Sequence, residues 1–223
     1  MEIIYHTADM NKDILTLENV FHSGIQTVEL DFVMSKDGIP VWTHNILPTQ
    51  VLNYNSKTIK DYLTLYDVLD LNNHRCKLML DLKYISKNIL NSKEFSKLLN
   101  YLNQYDDIQI QSLDISLINK IDYSNIEVGL IINVLSKWYI NNKMKLPDLD
   151  FMSISSELWE RKNGIFIEKC NELYPKVKKY GWTWSTREED EDRINNFINK
   201  EADVIITSNP KLVKKLIKKG SYD

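Results

Sequence analysis

Two histidines, three carboxylates and a lysine recur at short spacings: His6, then Glu29-Leu30-Asp31, then His44, then Asp81-Leu82-Lys83. In an extended chain, residues two apart point to the same side. Glu29 therefore shares a face with Asp31, and Asp81 with Lys83, wherever those stretches are strands. Three carboxylates converging on one place repel one another unless a cation lies between them. A donor set of Glu29, Asp31 and Asp81 is all oxygen, which suits one hard divalent ion, Mg2+ or Ca2+, and speaks against structural zinc. Taken singly, these residues have plainer uses. A lone strand-end carboxylate is more often a helix cap or an ion-pair partner. A lone histidine is more often structural, and His22, in a helical stretch, and His74, in a loop, are assigned to that class. What points to chemistry is the ordered set at the ends of successive extended segments.

Those segments stand out as short apolar, β-branched runs: Ile3–His6, Thr27–Phe32, Lys77–Leu82, Ile108–Gln111, Glu127–Ile132, Asp150–Ile154, Lys179–Trp184 and Asp203–Thr207. A further extended piece, Ile39–Thr43, leads into His44. Helical periodicity fills most of the gaps, over Asp13–His22, Leu63–Leu71, Glu94–Gln104, Ser116–Ile121, Ile165–Tyr174, Glu188–Asn199 and Lys211–Lys218. Eight strands alternating with helices predict an α/β fold, a closed parallel (β/α)8 barrel of the TIM type, with its active site at the C-terminal strand ends. Consecutive apolar residues within the strands fit burial on both faces. A doubly wound open sheet would carry a glycine-rich first turn, and His6-Thr7-Ala8-Asp9 has no glycine.

The 223 residues, with 28 Lys and Arg against 31 Asp and Glu, suit a single domain over 1–223. A net charge of -3 excludes a dominant nucleic-acid footprint, which needs clustered cations. The basic run at Lys211, Lys214, Lys215, Lys218 and Lys219 reads as the solvated face of a last helix. Cys76 and Cys170, without a CxxC, read as buried free thiols. No signal peptide or 18-residue apolar span is visible, so stable membrane insertion is not expected and a cytoplasmic location is.

The same residues resemble the glycerophosphodiester phosphodiesterase family. That family opens with a strand ending in His, follows with Glu-x-Asp, and then runs through a Lys/Thr-x-Asp-Gly-x-x-Val turn to a second His. Here the chain reads Ile4-Tyr5-His6, Val28-Glu29-Leu30-Asp31 and Lys36-Asp37-Gly38-Ile39-Pro40-Val41-Trp42-Thr43-His44. Leu63-Thr64-Leu65-Tyr66-Asp67-Val68-Leu69 is similar to the family's Thr-Leu-x-x-Val-Leu helix start, and Leu80-Asp81-Leu82-Lys83 to its Glu-x-Lys strand. Ile110-Gln111-Ser112 resembles its strand-four Ser. Trp182-Thr183-Trp184-Ser185 and Asp203-Val204-Ile205-Ile206-Thr207-Ser208-Asn209-Pro210 resemble its last two strands. Thr7 stands where the family has Arg, Asn45 where it has Asp after the second His, and Asp81 where it has Glu. Met10-Asn11-Lys12-Asp13 replaces its Pro-Glu-Asn-Thr helix start.

The resemblance implies a phospholipase C-like phosphodiesterase barrel. It implies hydrolysis of a small-molecule glycerophosphodiester to a phosphomonoester, such as glycerol 3-phosphate, and an alcohol. His6 and His44 would be the acid/base pair, a role suited to imidazole because it titrates near neutrality. Glu29, Asp31 and Asp81 would hold the metal. Lys83, Trp182 and Ser112 would contact substrate. The nucleophile is water or the substrate's own neighbouring hydroxyl. Two other readings stay open: a related enzyme acting on a lipid or sugar-phosphate diester, and a catalytically degenerate barrel that binds a phosphate ligand.

Overall fold

The computed structural model describes residues 1–7, 14–43, 62–83, 85, 87–122, 125–142, 146–160, 164–183 and 191–220. Eight parallel strands close into a barrel: β1 (Glu2–His6), β2 (Thr27–Met34), β4 (Lys77–Leu82), β5 (Ile108–Ser112), β6 (Glu127–Ile132), β7 (Phe151–Ser155), β8 (Lys178–Trp182) and β9 (Val204–Thr207). β1 lies between β9 and β2, which shuts the ring. β3 (Pro40–Trp42) adds an antiparallel partner to the end of β2, with Phe32 opposite Trp42 and Met34 opposite Pro40. That pairing makes β2 two residues longer than its sequence pattern suggests. Helices cover the outer face, among them Ile14–Phe21, Leu65–Asn72, Lys93–Leu102, Ile165–Leu173, Glu191–Asn199 and Pro210–Gly220. Their apolar stripes (Leu17 and Phe21, Leu65 and Val68, Phe95 and Leu98) join the main core with the outward strand residues. The helix at Leu65 starts on a capping box, in which Thr64 and Asp67 satisfy each other's backbone N–H groups.

The barrel interior is layered, as alternation of side chains requires. Its middle holds Ile4, Met79, Phe151, Tyr180, Val204 and Ile206. Phe151 and Tyr180 stack at 4.5 Å. Gly129 makes room for Phe151, because a Cβ there would fall 2.0 Å from the ring. Below this layer, Glu127 closes the N-terminal end by pairing with Lys77 at 2.5 Å and accepting from the Gln109 amide at 2.5 Å. Burial pushes the Glu127 carboxyl up, but these partners outweigh it and hold it below its ordinary value. With that end plugged by a polar layer, the opening lies at the C-terminal strand ends. No helix of the described residues is long and apolar enough to cross a membrane.

Candidate active site

Strand register brings the acidic residues together. His6 on β1 lies across from Glu29 on β2, and Asp31 lies across from Asp81 on β4. Neighbouring strands run about 4.8 Å apart, so two strand-to-strand pairs place one imidazole and three carboxylates side by side. Lys83 follows β4 and is tied to β2 by its backbone N–H, which donates to the Phe32 carbonyl at 2.9 Å. These side chains line a cavity of about 180 Å3 at the C-terminal mouth, together with Gln111, Asn133, Leu113, Ile131, Trp182 and Ile206.

Glu29, Asp31 and Asp81 are only 2, 2 and 5% exposed. One carboxylate oxygen from each lies within 4.8 Å of the others. Lys83 Nζ sits 2.5 Å from Asp31 Oδ1 and also bonds Asp81 Oδ2. His6 Nε2 lies 3.5 Å from Glu29 Oε2. Thr7 turns its hydroxyl away from the cavity, donating to the Glu29 backbone carbonyl at 2.8 Å and stitching the end of β1 to β2. Burial raises Glu29 well above the usual carboxylate range, and the charges of Asp31 and Asp81 add to the rise. Burial and Asp31 likewise push Asp81 up to about 6, against the pull of Lys83. Burial alone would lower the Lys83 ammonium, but Asp81, Asp31 and Glu29 outweigh it and raise it.

The residues fit a divalent metal. Among the described residues, Glu29 Oε2 and Asp81 Oδ1 are buried with no hydrogen-bond partner. Buried polar atoms are rarely left so. Three carboxylates against one ammonium leave two negative charges, which a divalent cation would balance. The donors are all hard oxygens.

Lys83 and Trp182 line the cavity. The Trp182 indole N–H donates to the Ser153 carbonyl at 3.1 Å, which fixes the ring as part of the wall. Ser112 does not line the cavity. It faces away, and its hydroxyl donates to the Leu82 carbonyl at 2.6 Å. Its neighbour Gln111 faces in and accepts from Ser153 Oγ at 2.5 Å. Strand alternation is the signal that favours Gln111 over Ser112 for the inner face. Asn133 was also missed; its side-chain oxygen accepts from the Leu135 and Ser136 amides and shapes the turn after β6. His44, Asn45 and Trp184 lie outside the described residues. Thr43, just before His44, donates its backbone N–H to the Asp31 carbonyl at 3.0 Å.

No protein-family model matches the sequence, and no curated protein matches it. Solved structures do match. A glycerophosphodiester phosphodiesterase from Parabacteroides distasonis aligns with a TM-score of 0.74 at 14% identity, covering 99% of this chain and 98% of its own. A phosphodiesterase from Oleispira antarctica, solved with its product sn-glycerol-3-phosphate, aligns at 0.72 and 15% identity, covering 98 and 97%. A glycerophosphodiester phosphodiesterase from Thermotoga maritima aligns at 0.69 and 16%, covering 96 and 97%. At such identities the likeness establishes the fold, which is the barrel these enzymes share with this chain.

Proposed function

We propose that this chain is a phosphoric diester hydrolase of the glycerophosphodiester type, acting in the cytoplasm on a small-molecule diester. The observation that carries the reading is the meeting of Glu29, Asp31, Asp81, His6 and Lys83 in one buried cavity at the C-terminal mouth of the barrel. The shared fold with enzymes of that activity supports it.

In this reading water adds across the diester. A new P–O bond forms, the P–O bond to the alcohol breaks, and the departing alkoxide takes a proton. His6, whose Nε2 lies 3.5 Å from Glu29 Oε2, and His44 divide the proton transfers. Lys83 faces the phosphate as a fixed positive charge, a role made heavier by Thr7 standing in place of an arginine. Trp182 and Ile206 form the apolar wall against which the substrate lies. Glu29, Asp31 and Asp81 would hold Mg2+ or Ca2+, which when bound supplies charge neutralisation at a non-bridging phosphate oxygen.

The test is release of glycerol 3-phosphate from glycerophosphocholine. His6→Ala and His44→Ala should each lower kcat/KM by about a hundredfold or more. Chelator should abolish turnover, and added Mg2+ or Ca2+ should restore it. Near wild-type rates in either variant, or indifference to chelator, would contradict the assignment.

A second reading, a degenerate barrel that binds a phosphate ligand without cleaving it, is favoured by two features. The Thr7 hydroxyl is committed to the Glu29 carbonyl, and Lys83 is held between Asp31 and Asp81. It would show as thermal stabilisation by glycerol 3-phosphate with no product from any diester.

A further inference from the structure

At the opposite end of the barrel from the catalytic cavity lies a second cavity of about 260 Å3. Its walls come from the turn after the helix Ile165–Leu173, from the start of β8, and from the turn between the helix Glu191–Asn199 and β9. Lysines dominate it. Lys176, Lys178, Lys179 and Lys200 stand against two carboxylates, Glu201 and Asp203, an excess of two positive charges. Lys179 is 6% exposed, a depth at which lysine is almost never found without a counter-charge. Its ammonium donates to the Tyr174 carbonyl at 2.6 Å, and that of Lys200 to the Trp159 carbonyl at 2.5 Å. Both carbonyls lie at helix ends, of Ile165–Leu173 and of Ser156–Glu160, so each lysine also counters a helix dipole. A single carbonyl occupies one of an ammonium's three donors and carries no charge to set against it. Among the described residues, Lys178 is the only one of the four in an ion pair, with Glu127 Oε1 at 3.6 Å. Asp203 is turned to the backbone, where its Oδ2 accepts the Lys179 N–H at 2.7 Å. Burial accordingly lowers the Lys179 ammonium, and Cys170 and Asp203 offset only part of the fall. Lys200 is held in place along its stem: a Cβ at Gly164 would fall 3.0 Å from Lys200 Cε, so glycine makes room for it.

From this cavity we propose a second ligand site, for a compact dianion: a phosphate group, either free or on a small monoester. Two negative charges match the excess of the walls. Ammonium groups suit such an ion as point charges that need no fixed bonding plane. A water takes about 30 Å3 of liquid, so the volume accommodates a phosphate and a short ester group. A nucleotide is a poorer match. Trp159 is the only aromatic residue lining the cavity, and it is fully buried in the core, which leaves no ring on which a base could stack. The proposal does not rest on the phosphodiesterase reading. The two cavities lie at opposite ends of β8, which starts with Lys178 and Lys179 at this one and ends with Trp182 at the other.

That separation makes the site testable by nuclear magnetic resonance on the whole 15N-labelled protein in chelator, titrated with inorganic phosphate and, in a second series, with glycerol 3-phosphate. Chloride at matched ionic strength is the control. The amides of Lys176 to Lys179 and of Lys200 to Asp203 should shift and saturate in the millimolar range or below. Lys176→Glu, at an exposed position that the fold tolerates, reverses one charge of the wall and should weaken binding at least tenfold. Lys83→Met, in the catalytic cavity, should leave it unchanged. Saturation by glycerol 3-phosphate at equal or lower concentration than phosphate would support the site and identify the ligand as a monoester; saturation by phosphate alone would support it and identify the free ion. Shifts that chloride reproduces would overturn the proposal, because the lysines would then be a solvated surface. So would phosphate shifts confined to His6, Asp31 and Lys83, or binding that Lys176→Glu leaves as tight as before.

Discussion

Replacing Lys83 by Met keeps an apolar stem of similar length and deletes one charge. Lys83 Nζ touches both Asp31 and Asp81, and its charge also acts on Glu29. Without it, three carboxylates buried to 5% exposure or less face one another uncompensated. Removing one partner of a fully buried ion pair costs about 3–5 kcal/mol. The Lys83 side chain is 33% exposed, so solvent shares the load and about 2–3 kcal/mol is the expected loss. For a chain of this length that corresponds to a melting temperature lower by about 5–10 °C. The assay is differential scanning calorimetry at pH 7.5, in chelator and in excess Mg2+ or Ca2+. In chelator the variant should show the full loss. With the ion bound, the deficit should shrink to less than about half, because the cation takes over the neutralisation. At pH 5 the deficit should also shrink, because carboxyls that are already raised take up protons instead. A variant that melts like the parent in chelator, or a deficit that divalent ion leaves untouched, would refute the view of Lys83 and a metal as joint counter-charges to one acidic cluster.

Other outcomes follow from neighbouring features. Asp81 is pushed up to about 6, chiefly by burial, against an unfolded value of about 3.9. For a raised acid, the stabilisation is complete below the unfolded value and is lost as pH climbs through the folded one. Metal competes with that proton, so the melting-temperature gain from divalent ion should be larger at pH 7 than at pH 5; equal gains would contradict the assignment. Gly129→Ala would drive a methyl to 2.0 Å from Phe151, an overpacking expected to cost about 3 kcal/mol in urea unfolding, and Phe151→Leu should recover much of it. Thr7→Val removes the buried hydrogen bond to the Glu29 carbonyl and should cost about 1 kcal/mol by the same measurement.

The barrel was legible because both faces of its strands are buried, so each strand appears as a dense β-branched run between polar stretches. Eight such runs map onto the eight parallel strands, with ends shifted by a residue or two. Three short helices, Lys87–Leu90, Trp138–Asn141 and Ser156–Glu160, were not foreseen. Segments of four or five residues are too short to display a 3.6-residue period. Of the site, the acidic trio was legible because Glu29-x-Asp31 and Asp81-x-Lys83 carry their own parity. Register between strands was not, and it is register that sets His6 against Glu29 and Asp31 against Asp81. Lys83 was expected to face a phosphate, and its bridge between Asp31 and Asp81 emerges only from three-dimensional packing. The expectation for Ser112 rests on the motif, and parity along β5 opposes it. The interior alternation of Gln109 and Gln111 on β5 would have selected Gln111.

The most direct measurement is anomalous diffraction from a crystal soaked in Mn2+, a scatterer that stands in for Mg2+ or Ca2+. One ion should lie about 2.0–2.6 Å from oxygens of Glu29, Asp31 and Asp81, with His6 and His44 facing the same cavity from either side of the phosphate position. An ion bound elsewhere, or His44 turned to a different face of the barrel, would contradict the phosphodiesterase account at its base.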